Sequence, residues 1–309
     1  MKVVLATDGS AHSALARVLI EKMPVLRGAH VVVASAVAPI HLPLAGIEPF
    51  GSAALGEVGL NAFEQARESA RATVDSTAEK LSERGFRAEG VVLDGEAGTV
   101  LLDFAERESA DVLAIGSRGL GGIKSLFLGS VARRLVTHCK SSVLVAHAYK
   151  GLSVEDSIER LSAREKLAVE VGIDGSSGAQ AALEWVQRAG PDGYATLLAV
   201  CAEPLSVVPA GVDPTTLGEF YKYDHERVEA VAKSGCEACK GLAPDLRWIT
   251  NLGRPVDVLS EAAASYDIDL IVVGATRHST LERFLIGSVS YETVVRASCS
   301  VLVVRPDSI

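Results

Sequence analysis

The sequence contains few of the residues that disulfide-rich, nucleic-acid-binding and membrane proteins need. Its five cysteines are an odd number in a chain of 309 residues, which favours reduced thiols over a disulfide framework. Its 30 Lys and Arg residues are outnumbered by 39 Asp and Glu residues, and no long basic run offers a nucleic acid a binding face. No stretch approaches the roughly 20 apolar residues that span a bilayer. We therefore expect neither nucleic-acid binding nor membrane insertion.

The first apolar run of the chain is also short. It extends from Val3 to Ala6 and is soon stopped by Asp8, so it does not reach the length of a signal-peptide core. Together with the reduced thiols, this pattern predicts a cytoplasmic protein. Cys236 and Cys239 are the one pair with redox or metal-site spacing. Because they lie in a helix-like stretch without a second Cys/His pair nearby, we interpret them as packing residues.

Several enzyme signatures are missing as well. A Walker-type loop needs Gly, four residues and Gly-Lys-Ser/Thr, whereas Lys124 is preceded by Ile123. The sequence has no nucleophile elbow, no metal-binding His/Glu array and no recognisable nucleophile with its base. The seven histidines are scattered, and we interpret His138 and His147, on either side of an apolar run, as packing or surface residues. The sequence therefore offers no catalytic residue.

The sequence does contain an internal duplication. Two segments recur 158 positions later and another recurs 166 positions later. The matching pairs are Val112–Gly116 with Leu270–Gly274, Ser142–Val145 with Ser300–Val303, and Leu5–Ser10 with Val171–Ser176. This predicts two domains of ordinary size: a first lobe of residues 1–149 and a second lobe of residues 165–309, joined by a charged linker of residues 150–164. The first copy carries eight additional residues, which we assign to the segment from Pro39 to Gly59.

Within each lobe, apolar runs of strand length alternate with stretches of helical period. Most of the runs lack polar alternation, as strands covered on both faces do. In contrast, the stretch from Asn61 to Arg84 places apolar residues three and four positions apart, as on one face of a helix. This alternation predicts an α/β fold of two similar doubly wound, mostly parallel five-stranded sheets with helices on both faces, a Rossmann-like arrangement.

A glycine series follows the fourth predicted strand of the first lobe. Two residues separate Gly116 from Gly119, and nine residues separate Gly119 from the pair Gly129 and Ser130. Glycines let a backbone approach an anion closely or adopt a positive φ, and a helix that starts at Ser130 offers free N–H groups to negative charge. We therefore expect a phosphate-binding turn, with the Ser130 hydroxyl as a further donor.

Other polar residues fall at the same predicted edge of the sheet. Asp8 ends the first strand, and open α/β sheets bind ligands beyond the carboxyl ends of their strands. Arg118 and Lys124, in the glycine-containing loop, are either contacts for outer phosphates or solvated loop residues. Asp8 has a structural alternative too, because Asp-Gly-Ser after a strand can cap the next helix.

The second copy keeps only part of this pattern. Asp174, Gly274, Gly287 and Ser288 recur, but Arg277 stands where the first copy has its second glycine. A non-glycine residue held at positive φ costs roughly 1–2 kcal/mol, and a bulky side chain there occupies the phosphate space. We therefore expect the second site to be empty or weak. In the alternative, Arg277 supplies charge to a different anion.

On these residues, both halves of the chain resemble the universal stress protein family. The most specific element is the family's nucleotide signature of Gly, two residues, Gly, nine residues and Gly-Ser/Thr. Here it is filled by Gly116, Gly119, Gly129 and Ser130. The resemblance covers nearly the whole chain outside the linker and the segment from residue 39 to residue 59.

The resemblance also implies roles for further residues. Asp8 would lie near the ribose and phosphates, Ala36 or Val37 would touch adenine, and Val131 would lie beside the phosphates. The lobes would pack as an intramolecular pseudo-dimer, often through their last strands, which here are Val143–Val145 and Val301–Val303.

The function that the resemblance implies is nucleotide-dependent regulation of a stress response. The expected ligand is ATP, with or without Mg²⁺, and AMP or ADP are alternatives. ATP hydrolysis would be slow at most, and a protein partner and a homodimer are open possibilities. Two other interpretations stay open. One is a partner-binding module of the same fold whose glycines only close tight turns, and the other is an adenylating enzyme or flavin-type electron carrier.

Overall fold

The computed structural model describes residues 1–39, 49–120, 128–203, 213–275 and 286–306. In the first lobe, strands alternate with helices along the chain. Its strands are β1 (Lys2–Ala6), β2 (His30–Val37), β3 (Arg87–Asp94), β4 (Val112–Gly116) and β5 (Ser142–Ala146), and its helices are α1 (Ala11–Lys22), α2 (Pro49–Glu83), α3 (Ala97–Arg107) and α4 (Ser130–His138).

The second lobe repeats this order after an intervening helix, α5 (Val154–Ala163). Its strands are β6 (Ala168–Gly172), β7 (Thr196–Glu203), β8 (Asp245–Leu252), β9 (Leu270–Gly274) and β10 (Ser300–Val304), and its helices are α6 (Ser177–Gln187), α7 (Pro214–Ala238), α8 (Pro255–Ser265) and α9 (Ser288–Arg296). The predicted α/β fold with a repeated domain is confirmed.

The order of the strands shows where the chain reverses its winding direction. The sheet runs β3-β2-β1-β4-β5-β10-β9-β6-β7-β8, and the strands within each lobe pair in parallel. In each lobe the chain first winds outward in one direction and then returns to the centre to wind in the other. A crevice therefore opens beyond the carboxyl ends of β1 and β4, and a second one opens beyond β6 and β9.

The two five-stranded sheets join into one sheet of ten strands through β5 and β10. These two strands are antiparallel, with Val143 opposite Val303, Leu144 opposite Leu302 and Val145 opposite Val301. The pairing of last strands that the resemblance implies is thus present. Since an antiparallel pair places the same surface of each lobe in contact, the lobes are related by an approximate twofold axis.

The sheet is buried on both faces. Every residue of β4 and β5 is buried, and alternate residues of β1 belong to two apolar clusters, with Val3 and Leu5 in one and Val4 in the other. Each cluster contains residues of both lobes, so the apolar core continues across the junction. Within the described ranges, none of the helices combines the length and apolarity that crossing a membrane requires.

The segment predicted as the linker contains α5, which contacts both lobes. Leu161 of α5 is 1% exposed and belongs to the core. The Lys22 ammonium of α1 donates a hydrogen bond to the carbonyl oxygen of Ser162, at 2.8 Å, and Arg160 pairs with Asp267 of the second lobe. This segment is therefore an ordered structural element, and the domain boundaries at residues 149 and 165 stay a prediction.

Helix α2 differs from the sequence-based expectation at its beginning. It starts at Pro49, whereas the periodic pattern predicted a start near Asn61. The segment from Pro39 to Gly59, to which we assigned the additional residues of the first copy, is therefore helical from Pro49 onward, and residues 40–48 lie outside the described ranges. The pattern failed because the stretch before Asn61 is rich in glycine and alanine and has no clear polar face.

Candidate functional site

Asp8 and Ser10 have separate roles at the end of β1. The Ser10 hydroxyl accepts a hydrogen bond from the backbone N–H of Ser13, at 3.3 Å, and so caps α1. Oδ1 of Asp8 accepts from the backbone N–H of Ser10, at 3.1 Å. Because Ser10 is the capping residue, the Asp8 carboxylate is not needed for that purpose, and the side chain is exposed at the edge of the sheet.

The second carboxylate oxygen of Asp8 fixes the glycine-containing loop. Oδ2 accepts a hydrogen bond from the backbone N–H of Leu120, at 2.8 Å. A Cβ added to Gly119 would lie 2.4 Å from the same oxygen, closer than real Cβ atoms come to a non-bonded heavy atom. Gly119 does not have a left-handed φ. Close approach to Asp8, and not a positive φ, therefore explains the second glycine of the signature.

The other two glycines also permit close packing. A Cβ at Gly116 would lie 2.6 Å from the backbone carbonyl carbon of His12 in α1. The backbone N–H of Gly129 donates to the carbonyl oxygen of Ser117, at 2.8 Å, which brings the end of the loop back to the end of β4. Gly129 has a φ of −68° and precedes α4, whose N-terminus has no side-chain cap in the described structure.

The remaining predicted residues of the first lobe lie around the same edge. Ser130 is exposed at the first position of α4, and Val131 is half-buried against the apolar cluster. Val37 is buried at the end of β2, where its carbonyl oxygen accepts from the backbone N–H of Gly95, at 2.9 Å. Ala36, the alternative contact for adenine, is half-buried. Lys124 lies outside the described residues. We call the space bounded by Asp8, Arg118, Gly119 and Ser130 the first-lobe crevice.

Arg118 supplies positive charge to this crevice. Its Nε is buried and has no hydrogen-bond partner among the described residues. Burial lowers the pKa of His12, the Arg118 guanidinium lowers it further, and Asp8 opposes both effects. Behind them, burial, together with the charges of His12 and Arg118, lowers the pKa of His147 to about 4. Both imidazoles are therefore mainly neutral at pH 7. Arg118 is then the positive charge of this group, and its Nε–H has no acceptor among the described residues.

Sequence analysis did not identify the residues that support this crevice. Besides His12, these are Thr7 and Ser13, whose side-chain oxygens hydrogen-bond at 3.0 Å, with Thr7 Oγ1 also accepting from the backbone N–H of Gly9, at 3.2 Å. A comparison of the two copies could have identified all three, because the equivalent positions hold Ile173, Gly178 and Ala179.

The second lobe places its predicted residues at the equivalent edge. Ser176 caps α6 through the backbone N–H of Ala179, at 3.1 Å, and Oδ1 of Asp174 accepts from the backbone N–H of Ser176, at 2.8 Å. A Cβ at Gly274 would lie 1.9 Å from the carbonyl oxygen of Gly178. Gly287 precedes α9, which begins at Ser288. Arg277 lies outside the described residues.

A cavity of about 250 Å³ lies at this edge of the second lobe. We call it the second-lobe cavity. Its walls come from the ends of the central strands and from the starts of α6, α8 and α9, and they include Ile173, Asp174, Val200, Ala202, Leu259 and Ser288. The second site, which the sequence predicts to be empty or weak, thus coincides with a cavity in the second lobe.

The described residues offer no evident metal or redox site. No group of three or more His, Cys, Asp or Glu side chains within the described ranges could hold a metal ion. All five cysteines are free. Burial, followed by nearby negative charge, raises the pKa of the Cys236 thiol and raises that of Cys239 to about 12. Thiols in this state are poor nucleophiles, which agrees with their interpretation as packing residues.

The fold and the two openings define a class of protein, namely α/β proteins of two doubly wound lobes joined edge to edge. The sequence model of the universal stress protein family matches residues 1–147 and residues 168–305. The chain therefore belongs to the universal stress protein family, with one copy of the family domain in each lobe.

Individual relatives agree with this assignment. A universal stress protein of Synechocystis is 34% identical over 98 residues, which are 31% of this chain and 64% of that relative. The chain thus spans less than two thirds of that relative's length. A universal stress protein of Thermus aquaticus is 32% identical over 143 residues, 46% of this chain and 96% of the relative. The alignment with the crystal structure of a universal stress protein from Archaeoglobus fulgidus covers 98% of each chain, with a TM-score of 0.60 and 17% sequence identity. This similarity shows a shared fold.

Proposed function

We propose that the chain is a regulatory protein of the stress response that binds one adenine nucleotide, ATP in the first place, in the first-lobe crevice. The observation that carries this proposal is the hydrogen bond from Gly129 to Ser117. It places the start of α4, which has no side-chain cap among the described residues, at the switch point of the sheet, beside Asp8 and Arg118. The N-terminal N–H groups and dipole of a helix favour an anion at this place.

The residues around the crevice fit the parts of a nucleotide. The backbone N–H groups at the start of α4, the Ser130 hydroxyl and the Nε–H of Arg118 are donors for phosphate oxygens. Asp8 keeps lone pairs that can accept from ribose hydroxyls, and Ala36 and Val37 at the end of β2 offer an apolar contact to the base. Mg²⁺, when bound with ATP, would neutralise part of the phosphate charge.

The protein acts in this proposal by changing its state when nucleotide binds, and not by catalysis. The described residues of the crevice contain no nucleophile hydrogen-bonded to a base in the way that catalytic pairs are arranged. ATP hydrolysis would therefore be slow at most. We place this function in the cytoplasm and assign its output to a protein partner, with AMP and ADP as alternative ligands. A homodimer of whole chains is compatible with it.

The experiment measures nucleotide stoichiometry and identifies the ligand. Mass spectrometry of small molecules that copurify with the protein, followed by calorimetric titration of the stripped protein with ATP and Mg²⁺, should give one adenine nucleotide per chain. At a ligand concentration about 100 times Kd, binding should raise the free energy of unfolding by about 2.7 kcal/mol. A stripped protein that shows neither heat nor a thermal shift would refute the proposal and favour a nucleotide-independent partner-binding module.

A variant ties the binding to this crevice. Gly119→Arg copies the residue type of the second lobe and should abolish nucleotide binding, because its side chain must displace the Asp8 carboxylate. Gly218→Arg is the matched control, since Gly218 is exposed and a Cβ there would meet no atom within 4 Å. Two equivalent sites in the wild type, or unchanged binding in Gly119→Arg, would contradict the assignment.

A further inference from the structure

His12 gives the first-lobe crevice a side chain that the second copy lacks. It is the second residue of α1, and a Cβ added to Gly116 at the end of β4 would lie 2.7 Å from the Cβ of His12. The imidazole is therefore attached directly beside the glycine-containing turn. In the second copy the equivalent residue is Gly178, and Thr276 stands where the first copy has Arg118. The sequence has both basic side chains at these positions only in the copy that keeps the complete glycine series.

Four ionisable groups from four separate segments interact with His12. Asp8 follows β1, Arg118 follows β4, His147 follows β5, and Glu155 lies on α5. Burial and the Arg118 guanidinium lower the pKa of His12 from its ordinary value of 6.5, and the carboxylates of Asp8 and Glu155 offset this effect only in part. His12 is therefore mainly neutral at pH 7 before a nucleotide binds.

A bound nucleotide would reverse this balance of charge. In the proposed function, phosphate oxygens accept from the Arg118 Nε–H and from the start of α4, and they bring more negative charge than one guanidinium offsets. Negative charge close to an imidazole favours its protonated form. His12 is half-buried, so a proton from the solvent can reach it. His147 is 8% exposed and has a pKa of about 4, which is too low for it to take up this proton near neutral pH.

We propose that His12 takes up a proton from the solvent when the nucleotide binds in the first-lobe crevice, and that the imidazolium then pairs with the phosphates beside Arg118. This inference rests on the proposed function and adds its regulation, because a binding step that takes up a proton is favoured as the pH falls. The crevice therefore fills more readily in slightly acidic surroundings. The dependence ends at the acid side, where His12 is already protonated before the nucleotide binds.

Calorimetric titration of the full chain with ATP and Mg²⁺ at pH 6.5, in two buffers of different ionisation enthalpy, counts the protons. The wild type should take up about half a proton more than His12→Gln, which keeps a donor but cannot become charged. The protonation of the nucleotide itself is the same for both proteins and cancels in the difference. His138→Gln, at the exposed last residue of α4, is the matched control and should behave like the wild type.

The affinity for ATP gives a second readout. Between pH 8 and pH 6 the wild-type affinity should rise about fourfold relative to that of His12→Gln. His12→Lys carries its charge throughout this range, so it should lose the pH dependence of the wild type and should bind ATP more tightly than His12→Gln at pH 8. NMR titration of the wild-type histidine resonances needs no variant protein to fold, and His12 should titrate at a higher pH with the nucleotide than without it.

The possible failures of the two proposals differ. Equal proton uptake in the wild type and His12→Gln, or a His12 titration that the nucleotide does not raise, would overturn the inference, whereas the proposed function would stand because ATP still binds. Uptake that survives His12→Gln and disappears in His147→Gln would assign the proton to the other imidazole and overturn the inference as well. Absence of ATP binding in the wild type would refute both proposals. An unchanged melting temperature before titration verifies that each variant is folded.

Discussion

Nη2 of Arg305 donates a hydrogen bond to the backbone carbonyl oxygen of Val136, at 3.0 Å, and so ties the end of the second lobe to helix α4 of the first. His147 holds the equivalent place in the first lobe, and its buried imidazole lies near the backbone of Val294 in α9. The backbone N–H groups of the two residues donate to equivalent serines, Arg305 to Ser142 and His147 to Ser300. The junction therefore follows the approximate twofold symmetry down to individual hydrogen bonds, with a permanent cation on one side and a neutral imidazole on the other.

Arg305→Ala should destabilise the protein by about 2 kcal/mol, the usual contribution of a hydrogen bond from a charged group. The loss of stability arises because the Val136 carbonyl oxygen loses the Arg305 donor while it stays in a buried junction. Urea-induced unfolding measures it, and Arg87→Ala, an exposed arginine of β3, is the control and should change stability by about 0.5 kcal/mol or less. Equal stabilities of the two variants would show that the Arg305 contact does not hold the lobes together.

The buried His147 should make the protein less stable as the pH falls. Its folded-state pKa of about 4 lies below the ordinary 6.5, so between these pH values the unfolded chain takes up a proton that the folded chain does not. The stabilisation that comes from keeping this imidazole neutral is complete above pH 6.5. It is lost as the pH falls toward 4, and the total loss is about 3 kcal/mol.

His147→Asn keeps a side-chain donor but does not titrate, so it isolates this effect. The free energy of unfolding of the wild type should fall more steeply between pH 7 and pH 4.5 than that of the variant. Guanidinium unfolding curves at several pH values provide the comparison. Parallel profiles would mean that the imidazole is protonated in the folded protein or exposed to solvent.

Glu170→Val should stabilise the protein. Glu170 is fully buried on β6, neither of its carboxylate oxygens has a hydrogen-bond partner in the described structure, and burial raises its pKa well above the ordinary value. The first lobe has Val4 at the equivalent position, in the same kind of apolar surroundings. Removal of the unsatisfied carboxyl group should raise the free energy of unfolding at pH 7 by roughly 1–3 kcal/mol.

The pH dependence of this gain has a definite sign. A raised folded-state pKa means that the folded carboxyl group stays protonated while the unfolded one ionises, so the wild type loses stability as the pH rises above the ordinary value of 4.5. The advantage of Glu170→Val should therefore shrink as the pH is lowered toward 4.5. Differential scanning calorimetry at several pH values measures both the stability gain of Glu170→Val and its pH dependence. The reciprocal variant, Val4→Glu, should destabilise the protein. A destabilised Glu170→Val would show that the carboxyl group has a partner in solution.

The sequence determined the repeated α/β architecture, because the apolar runs without polar alternation require strands buried on both faces, and the spacing of the duplication requires the same fold twice. It also placed Asp8 and the glycine series at one edge, since parallel strands bring their carboxyl ends together. These features follow from local pattern and from connectivity, both of which can be read along the chain.

Only the tertiary structure decided the features that depend on distances between separate segments. Gly119 is a glycine because the Asp8 carboxylate lies against it, which no local φ preference could reveal. The paired positions of His147 and Arg305 are visible as a repeat, but their contacts exist only because β5 and β10 meet. The second-lobe cavity likewise arises from residues that are far apart in sequence and become neighbours only where the strands end.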